Sequence, residues 1–569
     1  MPVSSAFRPR ITAKLRQLYG ARGEDVLRRV DVLADRYGLL RRRVDGPFWG
    51  AETVLLITYG DQIRSQGLPA LQVLDRFLRE SGCDKLLSGI HILPCFPYSS
   101  DDGFSVIDYR RIAPALGDWE DLRKLSQSFT LMLDLVVNHC SRQNEWFQAY
   151  LRGQEPYTGY FIEVDPGEDL SEVVRPRSSP LLTPFDTSRG TRHVWTTFSA
   201  DQVDLNFAEP DVLLQMLDVL LYYVEQGASW IRLDAIGFLW KRIGSNCMHL
   251  PETHAAVKLM RDLLDDLAPG TVLITETNVP HEENVGYFGR GDEAHAVYNF
   301  SLAPLLLDAF LSGDAGTIRG WLAGLEFPGP GTTFFNFTAS HDGIGVRPLE
   351  GLVSGKRLDK IVDEIRRRGG LVGTRRRADG SDAVYELNVS YLSALDEPGG
   401  LPPPLHAARF LASQAVMLAL RGVPGVYFHS LVGTPNYREG VRQSGHHRAI
   451  NRRKFELDEL RAILADEGSV QRLVFDGYRR LLAVRTRQPA FHPDAAQTVI
   501  ETGQKSVLGF ERVSRDGGQR IVTLANFAAI PVRVELSAAS TEPGKDLLTG
   551  RAVEGGCYEL GPYEAAWLA

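Results

Sequence analysis

The sequence predicts an α/β fold, a (β/α)8 barrel with an inserted loop-rich subdomain, an N-terminal helical extension and a C-terminal antiparallel β-domain. Three observations predict it. From Thr53 onward, short β-rich runs alternate with longer stretches of helical periodicity, the pattern of βα units that carry a parallel sheet. Several of these runs end in polar or charged residues, and in such a barrel the C-terminal strand ends form the active-site face. After about residue 484 the rhythm changes to short alternating segments separated by Gly, Asp and Pro, as in an antiparallel sheet.

Residues 1–49 are the predicted extension. Leu15, Leu18, Tyr19, Val26, Leu27, Val30, Leu33 and Tyr37 recur mostly at three- and four-residue intervals, which predicts one or two amphipathic helices. Their apolar face is expected to pack on the main domain, with an oligomer contact as the alternative. The barrel is expected over 50–484, with VLLITYG, GIHILPC, TLMLDLVVNH, WIRLDAIGF, TVLITETN, TTFFNFTASHD and GVPGVYF as its strands. That span is long for a bare barrel. Residues 140–200, rich in Pro, Ser, Thr and Arg and placed straight after VVNH, are the predicted insertion over the barrel mouth. SVLGFERV, RIVTLANF and PVRVELS are the expected strands of the β-domain over 485–569.

With 569 residues, 44% of them hydrophobic and 24% charged, the chain can bury a large core divided into two or three units. A net charge of −8 carries no polyanion-binding footprint, so neither nucleic acid nor an anionic membrane is the expected partner. A small neutral or anionic substrate is compatible with it. Five cysteines, Cys83, Cys95, Cys140, Cys247 and Cys557, lack CxxC spacing and fit reduced thiols better than disulfides or a zinc site. No segment reads as a secretory signal or reaches the roughly 18 apolar residues of a membrane span, and the expected compartment is the cytoplasm.

Breaking a glycosidic bond with retention needs two carboxyls about 5 to 5.5 Å apart, one ionised for attack and one protonated for the leaving oxygen. WIRLDAIGF offers Asp234, with Arg232 on the same strand face to hold it ionised. TVLITETN ends in Glu276 after an apolar run, where desolvation raises a carboxyl toward a useful general acid. Either acid alone also fits a helix cap, but two at successive strand ends favour chemistry. TTFFNFTASHD adds His341 and Asp342, placed to grip sugar hydroxyls. TLMLDLVVNH supplies Asp134, expected to fix a neighbouring loop, and His139 at the tip, expected to touch substrate.

DLVVNH, IRLDAIGF, ITETN and ASHDGIG, in that order, resemble the four signature segments of the α-amylase family of glycoside hydrolases and transglycosylases. The resemblance covers roughly residues 50–569. It implies Asp234 as nucleophile, Glu276 as acid/base and Asp342 as transition-state stabiliser, with Arg232, His139 and His341 in support. Within the family, HILPCFPYSSDDGFSVIDY and AINRRKF are similar to the sucrose phosphorylase branch, and imply that Asp101 pairs with Arg452 at the pocket floor beside an aromatic wall at Phe104. That pair is expected to be bidentate. The RPRS segment implies a phosphate contact at Arg177, while Gln202 and Tyr385 match other acceptor-side positions. A planar guanidinium suits phosphate oxygens.

The N-terminal extension and the segments SQAVMLALRGVPGVYFHSL and NHCSRQNEWF most resemble the glucosylglycerate phosphorylases of that branch. This implies conversion of 2-O-α-D-glucosylglycerate and phosphate to α-D-glucose 1-phosphate and D-glycerate. Sucrose or sucrose 6-phosphate phosphorolysis and a plain α-glucosidase or transglucosidase are the alternatives. Glycerate carries a carboxylate, which calls for an extra cation at Arg347 or in the run Arg375, Arg376 and Arg377. Phe238 and Glu386 replace a tyrosine and a glutamine of sucrose phosphorylases, and Glu386 is expected either to order the arginine loop or to face solvent. The expected partners are thus a small-molecule α-glucoside and inorganic phosphate, with no cofactor and no required metal, in a monomer or homodimer. Family members bind calcium near the position of Asn138, but the insertion lacks a dense set of oxygen ligands.

Overall fold

The computed structural model describes the whole chain except residues 43–45, 328, 377–380 and 537–543. Eight strands close a barrel: β1 (Leu55–Thr58), β2 (Gly89–Ile92), β3 (Thr130–Leu135), β4 (Ala228–Leu233), β5 (Val272–Thr275), β6 (Ala296–Tyr298), β7 (Thr333–Asn336) and β8 (Val423–Tyr427). Every neighbouring pair is parallel, and β8 closes onto β1 through Leu55 opposite Gly425. The chain therefore forms a (β/α)8 TIM barrel. Strands such as LLIT and VLIT are buried at every position, because helices cover one face and the packed barrel interior the other.

The helix Trp119–Ser126 shows how local chemistry sets an element. Asp118 accepts hydrogen bonds from the N–H groups of Glu120 and Asp121, while Asp121 accepts from Asp118 N at 3.1 Å, a reciprocal cap. The helices Pro210–Glu225, Pro251–Leu267 and Pro403–Ala419 each begin at proline, whose missing N–H would be unpaired there anyway.

The N-terminal extension folds as α1 (Arg8–Tyr19) and α2 (Gly23–Arg36). They approach closely at Gly23, where a Cβ would lie 2.9 Å from the backbone of Leu15 and Arg16. The pair docks on the barrel's outer helices. Lys14 Nζ lies 2.6 Å from buried Asp262, Arg41 binds Asp266 at 3.0 Å, and Tyr37 donates to Asp218 at 2.8 Å. Packing on the main domain, as the apolar periodicity predicts, is what the structure displays.

Between β3 and the helix Pro210–Glu225 the chain makes a long excursion. It holds a short helix, Glu145–Leu151, a helical turn, Tyr157–Gly159, and a hairpin, Leu182–Thr187 with Gly190–Trp195, joined by loops. Its base is an antiparallel pair, His139–Ser141 with Gln202–Asp204, at the top of β3. Two features escape the sequence reading. Strand β6 is only AVY, too short to stand out from its surroundings. After β7, a three-stranded antiparallel sheet, Ile344–Gly345, Leu371–Arg376 and Asp382–Asn388, with the helix Gly355–Arg367, forms a second wall of the barrel mouth.

Beyond the helix Val470–Arg485, a four-stranded antiparallel sheet forms from Ala496–Val499, Val507–Val513, Arg520–Asn526 and Ala565–Leu568. The segment PVRVELS contributes Val532–Glu535 to a separate pair with Cys557–Leu560. Buried Arg485 and Arg512 donate to Leu418 O and Ala419 O at 2.9 and 2.5 Å, which anchors this region to the last turn of Pro403–Ala419. Among the described residues no helix is long and apolar enough to cross a membrane.

Candidate active site

The strand ends deliver the expected acids to one place. Asp234 follows β4 and Glu276 follows β5, adjacent strands paired through Leu233 opposite Thr275. Directly after Asp234, Ala235 adopts φ 49°, a left-handed conformation that costs a non-glycine residue of order 1–3 kcal/mol. The turn aims the Ala235 N–H at Glu276 Oε2, 2.9 Å away. Backbone strain here fixes the two acids relative to each other.

Arg232, fully buried on β4, joins them asymmetrically. Its Nη1 donates to Asp234 Oδ1 at 2.8 Å, while Nη2 is 3.8 Å from Glu276 Oε2. Asp134 on β3 also binds Arg232 Nη1 and receives His91 Nε2 at 2.6 Å. This corrects the expectation that Asp134 fixes a loop. Its alternating position on β3 turns it into the barrel interior, where it neutralises and orients the arginine.

Burial pushes both Asp234 and Glu276 up, each to about 7, with Arg232 opposing the rise and neighbouring carboxylates adding to it. The closer guanidinium contact favours the charge on Asp234 over Glu276. Asp342 behaves oppositely. Burial opposes its ionisation, but Arg448, His341, Arg452 and Arg232 outweigh it and hold the carboxyl well below the usual range. One pocket of about 480 Å³ is bounded by these three acids together with Asp101, Phe104, His139, Gln202, His341, Arg177 and Tyr385.

His139 Nε2 donates to Phe104 O at 2.8 Å, where Gln202 Nε2 also donates at 3.2 Å. The Phe104 ring stacks on His341 with centroids 4.7 Å apart and planes 6° from parallel, forming one wall. The floor differs from expectation. Arg452 does not grip Asp101 with two nitrogens; its Nη1 bridges Asp101 at 3.3 Å and Asp102 at 2.8 Å. Consecutive left-handed residues at Asp101 and Asp102 turn both carboxylates toward the one nitrogen. Arg452 Nε donates instead to His341 O at 2.8 Å. On the mouth, Arg177 from the insertion lies over the Tyr385 ring, 5.7 Å from its centroid.

Glu386 does not face solvent. It is buried and binds Arg448 with both oxygens, Nε at 3.0 Å and Nη2 at 2.8 Å, while Arg448 Nη1 reaches Asp342 Oδ1 at 2.5 Å. A charge-assisted chain thus runs from Glu386 through Arg448 to Asp342. Glu386→Gln is expected to lower kcat roughly tenfold, from loss of about 1.5 kcal/mol of charge-assisted bonding, and steady-state kinetics beside a melting curve check it.

The sequence reading missed Arg448, although it lies four residues before Arg452 in the AINRRKF region. It missed Asn278, two residues after Glu276, and Phe198, which packs edge-on to Phe238 at 5.5 Å. Of the arginine run, Arg375 is described, whereas Arg377 and the Arg376 side chain lie outside the described residues.

The chain is similar to known proteins. Residues 80–320 match the alpha amylase catalytic domain. A glucosylglycerate phosphorylase of Allomeiothermus silvanus is 46% identical over 568 residues, covering 98% of this chain and 99% of that protein. One of Spirochaeta thermophila is 46% identical over 529 residues, covering 90% and 89%. Among solved structures, the sucrose 6F-phosphate phosphorylase of Thermoanaerobacter thermosaccharolyticum superposes with TM-score 0.73 at 27% identity, covering 84% of this chain and 94% of that one.

Proposed function

This chain belongs to the α-amylase family, and on that premise we propose that it is a retaining phosphorylase converting 2-O-α-D-glucosylglycerate and inorganic phosphate to α-D-glucose 1-phosphate and D-glycerate. What supports the substrate is the 46% identity, over the aligned spans, to two glucosylglycerate phosphorylases. The observation that carries the chemistry is the unequal hold of Arg232 on two buried acids, 2.8 Å against 3.8 Å.

In the first displacement an oxygen of Asp234 bonds to the glucosyl C1 as the bond from C1 to the glycerate oxygen breaks, and that oxygen takes the Glu276 proton. In the second, a phosphate oxygen attacks C1, Glu276 recovers a proton from phosphate, and the ester to Asp234 breaks. Two inversions give retention. Asp342, ionised at any working pH, and His341 hold sugar hydroxyls and favour positive charge at C1. Asp101 and Arg452 close the floor behind one glucose unit, with Phe104, His139 and Gln202 around it. Arg177 at the mouth supplies the phosphate contact, and fixed phosphate outcompetes water for the ester.

The protonation pattern sets a pH dependence. Glu276 must hold its proton for the leaving group, so kcat/KM is expected to fall as pH rises through about 7, and a pH profile of kcat/KM checks this. No metal or other cofactor is required in this account. Lys241 Nζ lies 2.6 Å from both Asn138 Oδ1 and Asp204 Oδ2, so the chain itself supplies a cation beside His139. Extended dialysis against a chelator is expected to leave the phosphorolysis rate unchanged. A cytoplasmic setting fits five cysteines none of which is in a disulfide.

The test incubates the enzyme with glucosylglycerate, with and without phosphate, and measures α-glucose 1-phosphate and free glucose. Glucose 1-phosphate formed only with phosphate supports the reading. Equal free glucose in both samples contradicts it, and faster turnover of sucrose at equal concentration reassigns the leaving group.

A further inference from the structure

Beside the sugar pocket, past Glu276 and Tyr385, lies a second cleft of about 460 Å³. One side is apolar, from Phe198, Phe238 and Met248. The cleft's charged lining is Glu276, Arg175 from the insertion after β3, which binds Ser179 O, and Arg347 and Arg375 from the segment after β7. The guanidiniums of Arg347 and Arg375 share one carboxylate, Glu350, at 3.9 and 3.4 Å, and its side chain is 48% exposed. The Nε atoms of both arginines are buried and lack a hydrogen-bond partner among the described residues. Two mostly buried cations held by one loose, solvated anion are under-neutralised, and such a pair favours an anionic ligand.

The geometry points to a carboxylate. The cleft reaches from Glu276, which protonates the leaving oxygen in the proposed reaction, to the two guanidiniums. A leaving group that fits has its reacting oxygen and a carboxylate on one short carbon stem. We propose that Arg347 and Arg375 form the carboxylate-binding half of the leaving-group site and select 2-hydroxy acids over neutral polyols. This half is separate from Arg177, which lies over Tyr385 at the edge of the sugar pocket. The inference rests on the proposed phosphorylase reading and adds the residues that set its acceptor.

The experiment runs the reaction toward glycoside, from α-glucose 1-phosphate with either D-glycerate or glycerol, in which a neutral hydroxymethyl group replaces the carboxylate. The wild-type enzyme is expected to prefer glycerate by about 100-fold in kcat/KM, the worth of two charge-assisted bonds. In Arg347→Met and Arg375→Met that preference is expected to drop at least tenfold each, through a higher KM for glycerate. A preference kept in both variants overturns the proposal, as does a rise in KM for α-glucose 1-phosphate in place of glycerate. A measurement on the unmodified enzyme covers a variant that does not fold: propanoate is expected to inhibit competitively against glycerate and propionamide is not. Equal inhibition by both overturns the assignment. Failure of the phosphorylase reading looks different, because wild-type enzyme would then release glucose without phosphate whatever these arginines bind.

Discussion

Asparagine at position 234 is expected to lower kcat by on the order of 10⁴-fold or more, leaving the fold intact. The amide is nearly isosteric and can still accept from Arg232 Nη1, so the local packing survives. What disappears is the anion that forms the ester to C1. Steady-state phosphorolysis measures the loss, and an unchanged melting curve assigns it to chemistry. Asp234→Ala goes further by opening the face from which the carboxylate attacks. Azide added to that variant is expected to attack from the same face and yield β-glucosyl azide. An α-azide product would place the nucleophile elsewhere.

Replacing Glu276 with alanine is expected to cost about 10²–10⁴-fold in turnover of glucosylglycerate, the range for loss of a general acid. Its effect depends on the leaving group, which separates it from Asp234. Fluoride leaves without a proton, so the first displacement from α-glucosyl fluoride is expected to lose far less than that from glucosylglycerate. The acid needs its raised pKa, to about 7, which comes from burial reinforced by Asp234 and Asp342. Parallel kinetics with both donors check this. Equal losses with the two would mean that residue 276 does not protonate the leaving oxygen.

The sequence made the catalytic acids legible because each sits at the end of an apolar strand run, where side-chain alternation and the barrel's polarity determine where it points. IRLDAIGF and ITETN carry their strand, their turn and their chemistry in one short stretch. The electrostatic partners were less legible, since they reach the site from distant turns. Arg448 comes from the short helical turn His447–Asn451 and meets Glu386 from the sheet after β7, sixty-two positions away in sequence. No local spacing signals that meeting. Asp134 was misjudged for a related reason: a charged residue within a strand reads as a loop contact unless its partners, Arg232 and His91 on flanking strands, are seen together. The pairing of Arg452 with both Asp101 and Asp102 depends on two successive left-handed residues, and although aspartate tolerates that conformation singly, no spacing signals two in a row. Strand β6, three residues long, offers too little pattern to be told from a turn.

The most direct test follows the anomeric proton by NMR during the first turnovers of glucosylglycerate in phosphate. Attack by Asp234, then displacement by phosphate with Glu276 as acid and base, gives α-glucose 1-phosphate as the first product. β-Glucose 1-phosphate at early times would mean a single displacement, and the roles assigned to the two acids would be wrong.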